Sequence, residues 1–502
     1  MGSIGPQPTA PSMRAKVTSA DIDAIRSLLA GTDAEVLTPD AAGYPDTIKR
    51  WSMAASKPAG VSILPTTAVQ VASVVKYAAE KGLDVAVKGG GHSTAGVSST
   101  DGGLLFDLGK MRGVTFDEAS STLRVQGGAN WGDVDAVAFQ HGVGTVGGTV
   151  ADTGVGGLTL GGGYGWLSGL YGLTIDVLLE AEVVLASGEV VRASETQNPE
   201  LFWALRGAGQ NFGVATEFVL RAFEVGKQVW AGMVVFAPTP ENVKGVTRVM
   251  NELYTIKDGK TKVAARGAGG LGFARPPDAG GQVMLLTPII YFGTEAEGRE
   301  VYKNLFALGP VVDGMAMVDY PTINTLLAPP YGLRASMKGA AFELPLREEF
   351  VGKTLEEYSK FTEGEEAKDL GISLLLFEMF DPSKVSALDA GSFANRGTHL
   401  NGMICPIWSQ EENDQKCRLW ARHMNELFKR ELEEHGDRET GDTKEVASVV
   451  GRKKATQFYG NYDHYDERSK DIFGDNYAEL QKLKAKYDPG NVFNKLFAIT
   501  PA

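Results

Sequence analysis

The sequence predicts an α+β fold of two parts, and three observations carry that prediction. A strand–helix–strand pattern near the N-terminus delivers a glycine-rich loop, Lys88–Ser93 (KGGGHS). Much of the excess of the 62 glycines then lies between Gly89 and Gly213, as expected of backbone packed closely against a ligand. From about Trp230 glycine thins out, and strands alternate with long amphipathic helices. Antiparallel sheet with helices on one face is the economical reading of that second part. With 502 residues the chain is long enough for two or three domains, each with its own core.

Taken in order, a helix-like stretch Ser19–Leu29 precedes a strand, Val61–Leu64. Pro65, Thr66 and Thr67 open the next helix, with Thr67 and Gln70 spaced as a capping box. Val71, Val74, Val75 and Ala78 repeat at helical spacing, and Gly82 is the stop. The apolar run Leu83–Val87 reads as a short buried strand, and KGGGHS follows at its C-terminal end, a usual place for ligand loops. Three consecutive glycines let the backbone turn sharply and expose its N–H groups, which suits a pyrophosphate; the alternative is a plain turn with an incidental histidine at His92.

Strands at Leu104–Leu108, Val114–Asp117 and Thr122–Gln126 and a helix at Trp131–Gln140 lead to a second glycine-rich stretch, His141–Gly172. Its formal GxGxxG, Gly142–Gly147, follows a helix and lacks a ribose-binding acid about 20 residues on, so a Rossmann reading is rejected. Ile175–Ala193 reads as a hairpin turning at Ser187-Gly188. Asn198-Pro199 caps a short helix, Glu200–Leu205, and Arg206–Val214 (RGAGQNFGV) runs into a strand, Ala215–Ala222. In the second part the strands are Val229–Ala237, Val283–Phe292, Ile372–Phe380 and Leu400–Trp408, and the clearest helix is Glu411–His435. Glu431–Asp442 reads as a charged, exposed linker. A polar-aromatic run, Phe458–Glu467 (FYGNYDHYDE), then precedes a helix with Tyr477, Leu480, Leu483 and Tyr487 on one face, stopped at Asp488-Pro489-Gly490.

Composition narrows function by exclusion. With 49 basic and 62 acidic residues the net charge is −13, which argues against nucleic acid or an anionic membrane as the main partner. Two cysteines, Cys405 and Cys417, are too few for a zinc set or a disulfide framework, and both read as buried core thiols; no metal site is expected. Residues 1–17 lack the apolar core of a secretory signal, and Pro6 stands where a myristoylation site needs Ser or Thr. The first dozen residues read as a disordered tail. No window approaches about 18 uninterrupted apolar residues, the length of a membrane span. The expectation is a cytoplasmic protein, monomeric or weakly self-associating.

Four motifs now fall into one register: Lys88–Ser93 (KGGGHS), Val155–Trp166 (VGGLTLGGGYGW), Pro199–Gly213 (PELFWALRGAGQNFG) and Tyr487–Phe493 (YDPGNVF). Together they resemble the FAD-linked oxidases of the vanillyl-alcohol oxidase type, with a PCMH-type FAD-binding domain, and specifically the berberine-bridge-enzyme-like branch. The resemblance covers residues 60–228 and 450–500 strongly and the middle weakly. It implies an FAD domain split in two: an N-terminal part, 1–228 (PCMH-type about 57–228), and a return segment, 442–502. Between them lies an inserted substrate domain, 229–441, of antiparallel sheet covered by helices. By the same resemblance Lys88, Gly89, Gly90, Gly91 and Ser93 hold the FAD pyrophosphate, and His92 is bonded to the 8α-methyl of the flavin. Gly147, Gly148, Thr149, Asp152, Thr153, Gly156, Gly157, Gly163 and Tyr164 fall in the stretch that lines flavin and phosphates. Side chains at those glycines would collide with the cofactor; tight turns are the alternative reason for them. Val214 matches a backbone contact to the adenine half. Some branch members carry a second, cysteinyl link, but here Val150 holds that place, so a single histidyl bond is expected, as in the hydroxynicotine-oxidase-like group.

The activity implied is oxidation of a C–H next to a hydroxyl or amine of a small molecule, with O₂ taking the electrons and giving H₂O₂. In several branch members a tyrosine of an Asn-Tyr pair removes the substrate proton; here that pair is Asn461-Tyr462, with Tyr459 three residues before. A phenol titrating near 10 is a poor base, so a neighbour must lower its pKa; the alternative role for Tyr462 is an aromatic wall. Asn461 would orient substrate or flavin, and His464 reads as a surface residue. Glu378, Arg396 and His399 are candidates for the pocket's back wall, with structural pairing as the alternative at each. Rival readings are a dehydrogenase that excludes O₂, a flavin-assisted cyclisation, and a small-molecule binding protein without flavin.

Overall fold

The computed structural model describes residues 14–276, 279–328, 330–364, 369–435, 456–462 and 467–502. The N-terminal tail, His464 and most of the 431–442 linker lie outside the described residues.

The strand–helix–strand unit forms as its caps dictate. Thr67 and Gln70 exchange side chain-to-backbone hydrogen bonds at the start of the helix Ala68–Lys81, and Gly82 ends it at φ +64°. Val71, Val74, Val75 and Ala78 are buried against the sheet. That sheet has four strands in the order Glu35–Leu37, Val61–Leu64, Leu104–Asp107, Val85–Lys88, the last three parallel. The loop bearing His92 therefore leaves the C-terminal end of an edge strand. A five-stranded antiparallel sheet follows, ordered Val114–Asp117, Thr122–Gln126, Val214–Arg221, Leu178–Val184, Val190–Ser194.

The hairpin turns at Gly188 (φ +83°), but its first strand begins at Leu178, because Thr174–Val177 is a helical turn. Asp176 explains the turn: its carboxylate accepts from the Leu173 amide and from both terminal nitrogens of Arg396, at 2.7–2.8 Å. Arg396 is thus a structural partner and does not reach the pocket. Both side chains are almost fully buried (4% and 1% exposed), so removing one strands a charge. Asp176→Ala is expected to cost about 3–5 kcal/mol, measured as a lowered denaturant midpoint. Pairing it with Arg396→Leu should recover most of that loss.

In the second part the sheet has eight antiparallel strands. The main order is Val312–Asp313, Gln228–Phe236, Met284–Tyr291, Gly267–Ala274, Leu374–Met379, Leu400–Cys405, Lys338–Phe342, with Ala316–Asp319 also on Gln228–Phe236. Helices Pro240–Tyr254, Glu348–Thr362 and Asp414–His435 cover one face, where Phe350, Phe377 and Phe428 meet with ring centroids 5.0–6.1 Å apart. Cys417 lies in this core. Gly267–Ala274 was not expected as a strand, because glycine at 269, 270 and 272 disfavours one. A Cβ at each would strike a carbonyl of a flanking strand, so close strand packing selects glycine there.

The chain then returns. Ile472, Phe473, Leu480 and Leu483 pack into the five-stranded sheet's core with Leu201, Phe202 and Phe212. Lys484, fully buried, donates to Asp488 (2.6 Å) and to the carbonyls of Asn211 and Phe493, while Asp488 accepts from the amides of Val492 and Phe493. That knot shapes the Asp488-Pro489-Gly490 turn and carries Phe493–Leu496 back to the first part. A second tie comes from Asn324, which donates to Asp135 (2.6 Å) and accepts from the Trp166 indole (2.9 Å). No helix among the described residues is long and apolar enough to cross a membrane.

Candidate active site

One cavity runs from the glycine-rich loops to the uncovered face of the eight-stranded sheet, admitting water-sized molecules over about 470 Å³. His92 is on its wall. Its ring stacks on Trp51 (centroids 5.5 Å, 6° between planes) and meets Tyr331 edge-on. Nε2 stands 3.0 Å from Asp152 Oδ1, and Nδ1 is 3.4 Å from the Thr153 hydroxyl. Tyr462, also on the wall, donates to Glu378 Oε1 at 3.0 Å. Burial pushes the Glu378 carboxyl up to about 7, with the Tyr462 hydrogen bond pulling the other way. Burial, with Glu378 beside it, drives the Tyr462 phenol well above its ordinary range. The expected neighbour that lowers Tyr462 is therefore absent among the described residues; a carboxyl stands there and does the opposite.

Tyr459 and Asn461 hold the return segment against the loops. Asn461 Nδ2 donates to the Leu158 carbonyl (3.1 Å) and to the Tyr459 hydroxyl (2.9 Å), which also accepts from the Tyr164 amide (3.3 Å). Rings of Tyr164 and Tyr462 both stand edge-on to Tyr459 at 4.8 Å. His399 is buried behind this cluster on Asn395 and does not line the cavity. Cys405 is buried as expected, yet it is on the cavity wall beside Tyr462, with its thiol pushed up to about 12 by burial.

The family model described as FAD binding domain matches residues 59–194, and that described as berberine and berberine like matches 458–499. The FAD-linked oxidoreductase pgmH of Aspergillus terreus is 31% identical over 497 residues, 96% of each chain. The chain belongs to the berberine-bridge-like FAD-linked oxidoreductases. Among solved structures, 6-hydroxy-D-nicotine oxidase from Arthrobacter nicotinovorans aligns at TM-score 0.76 and 25% identity, over 94% of this chain and 98% of that one. Glucooligosaccharide oxidase from Acremonium strictum, whose flavin is a 6-S-cysteinyl, 8α-N1-histidyl FAD, shares the fold at TM-score 0.70 and 22% identity, over 95% and 99% of the two chains.

The cavity of this oxidoreductase fits FAD on its own chemistry. Trp51 Nε1 and the hydroxyls of Ser93 and Ser98 are buried on its wall without a hydrogen-bond partner among the described residues, a polar set that a phosphate and a flavin edge would satisfy. Of the residues anticipated from sequence, Gly89, Gly90, Gly91, His92, Ser93, Gly148, Thr149, Thr153, Gly156, Gly157, Tyr164, Val214, Tyr459, Asn461 and Tyr462 line this wall. Lys88, Gly147, Asp152 and Gly163 stand behind it. Lys88 is turned away by its ion pair with Asp107 at 2.9 Å. The pairing of Glu378 with Tyr462, and the Trp51 stack, were not anticipated; Trp51 lies far upstream of the motifs and carries no local signal.

The glycines divide by cause. A Cβ at Gly147 or Gly148 would run into the Trp131 indole, and one at Gly90 into Gly154 backbone; Gly163 (φ +85°) faces Thr174. Protein packing is by itself sufficient reason for glycine at these positions. Gly157 differs, since a Cβ there meets nothing within 4 Å and opens on the cavity. Gly147→Ala is expected to lower stability by about 1–3 kcal/mol through overpacking. Gly157→Leu should leave the melting midpoint nearly unchanged while cutting FAD content, read from the flavin-to-protein absorbance ratio.

Proposed function

We propose that the protein is an oxidase with FAD bonded through His92 alone, acting at a C–H next to a hydroxyl or amine of a small molecule. When bound, FAD accepts the hydride equivalent and passes two electrons to O₂, giving H₂O₂. The observation that carries this reading is the Tyr462–Glu378 pair on the wall of the cavity that His92 also lines. Tyr462 cannot shed its proton alone at neutral pH, because burial and Glu378 hold its pKa high. It can receive the substrate's proton while handing its own to Glu378, whose affinity near 7 suits a general base at cellular pH. Tyr459, itself held by Asn461, packs edge-on against the Tyr462 ring and keeps it in place.

Asp152 supports attachment through Nδ1 of His92, because its carboxylate favours a proton on Nε2 and leaves Nδ1 as the nucleophile. The linked flavin of glucooligosaccharide oxidase is bonded at the corresponding N1 position of its histidine. Val150 is on the cavity wall where the branch's second anchor would stand, and it has no thiol. We place the domain limits at 1–228, 229–441 and 442–502, a division supported by the four- and five-stranded sheets before Gln228, the eight-stranded sheet from there on and the returning helix Tyr477–Tyr487. Mixing the protein with candidate alcohols and amines without air tests the reading: a true donor bleaches the visible flavin band, and admitting O₂ restores it with one H₂O₂ per substrate. Product formation with no bleaching would overturn it.

A further inference from the structure

We infer that the substrate is a largely apolar, ring-bearing alcohol or amine and not a sugar, selected by the uncovered face of the eight-stranded sheet. This rests on the oxidase reading and deepens it. Strand alternation sends successive side chains to opposite faces. On Leu374–Met379, the side chains of Leu375, Phe377 and Met379 enter the helix-covered core, whereas Leu374 and Glu378 line the cavity. On Leu400–Cys405, Leu400 and Ile404 enter the core, and Met403 and Cys405 face the cavity. The same phase brings Met233, Leu286 and Ala274 to the cavity from three neighbouring strands.

Five strands thus supply one carboxyl, and every other cavity-lining side chain on them is apolar. That carboxyl is already engaged by Tyr462. The opposing wall adds Leu326, Leu327 and Ala328. A sugar carries a hydroxyl on nearly every carbon, and each one set against this sheet face would lose water without gaining a partner there. A ring system with a single reacting hydroxyl or amine loses nothing of that kind and gains apolar burial. Met233, Met403 and the nearby Met337 give the floor soft, adaptable side chains suited to flat rings.

Isothermal titration of the purified flavoprotein with 2-naphthalenemethanol, 2-naphthalenemethylamine and cellobiose tests this. One of the naphthyl compounds should bind once per chain, with a negative heat-capacity change, at least about tenfold more tightly than cellobiose. The tighter of the two tells alcohol from amine. Met403→Asp and Leu374→Asn should each weaken that binding by about tenfold or more, with flavin content and melting midpoint retained as the check on folding. Cellobiose binding equally well, no naphthyl binding, or variants with unchanged affinity would overturn the inference. Anaerobic bleaching separates it from the reading beneath it. Naphthyl binding without bleaching by any donor sinks the oxidase and leaves the selectivity standing; cellobiose that binds and bleaches does the reverse.

Discussion

Glu378→Gln is expected to lower kcat and kcat/KM together by about 10²–10⁴-fold, the range for loss of a general base. Glutamine keeps the size of the side chain and can still accept from Tyr462, so the pocket's shape is preserved and flavin content should not change. What disappears is the group that can take a proton near neutrality. Tyr462→Phe should cost a similar factor, because the two act in series. The double variant should then be little worse than either single one, a non-additivity that independent roles would not produce. pH gives a second readout. The base must be ionised to work, so wild-type kcat/KM should rise with pH and level off above about 7, and Glu378→Gln should lose that limb. Stability runs the other way. The folded-state pKa of Glu378 is raised, so the stability associated with its neutral form is complete below the ordinary carboxyl range and lost as pH rises through about 7. Glutamine mimics the neutral form at every pH, so the variant should melt higher than wild type at pH 8 and alike at pH 4. A variant that keeps full activity and the rising limb would remove Glu378 from the mechanism.

The glycine-loop side of the cavity was legible because its signals are local. Capping at Thr67 and Gln70, the stop at Gly82 and the KGGGHS loop each depend on residues within a few positions of one another, and the structure places them as the pattern implies. The substrate side depends on strand phase and distant pairing, which local pattern does not encode. Glu378, Arg396 and His399 looked equivalent as polar residues in an apolar region. Alternation along Leu374–Met379 turns Glu378 into the cavity, Asp176 captures Arg396, and Asn395 captures His399. The sign of the shift at Tyr462 failed for the same reason, since an unidentified neighbour was expected to lower its pKa and the fold supplies a carboxyl that raises it. The strand Gly267–Ala274 was hidden because its glycines answer to neighbouring strands and not to local propensity.

His92→Ala is expected to convert flavin that stays with the acid-denatured polypeptide into flavin found wholly in the supernatant. The substitution should be cheap for the fold. His92 lies outside the hydrophobic cores, and its ring is 18% exposed beside an Asp152 side chain that is 33% exposed. Partly hydrated pairs of this kind contribute about 0–1 kcal/mol. The remaining loop geometry, with Gly91 at φ +73° and Trp51 donating its amide to the Gly91 carbonyl, does not involve the imidazole. FAD should therefore still bind, held by the polar atoms of Ser93 and Ser98, but exchange with free cofactor and oxidise donors more slowly. Asp152→Asn is the informative companion. If the carboxylate sets the tautomer of His92, the asparagine variant should attach flavin slowly or incompletely while retaining it without a bond. Release of flavin from the wild type would remove His92 as anchor, yet leave FAD binding and the Tyr462–Glu378 relay to stand or fall on their own tests.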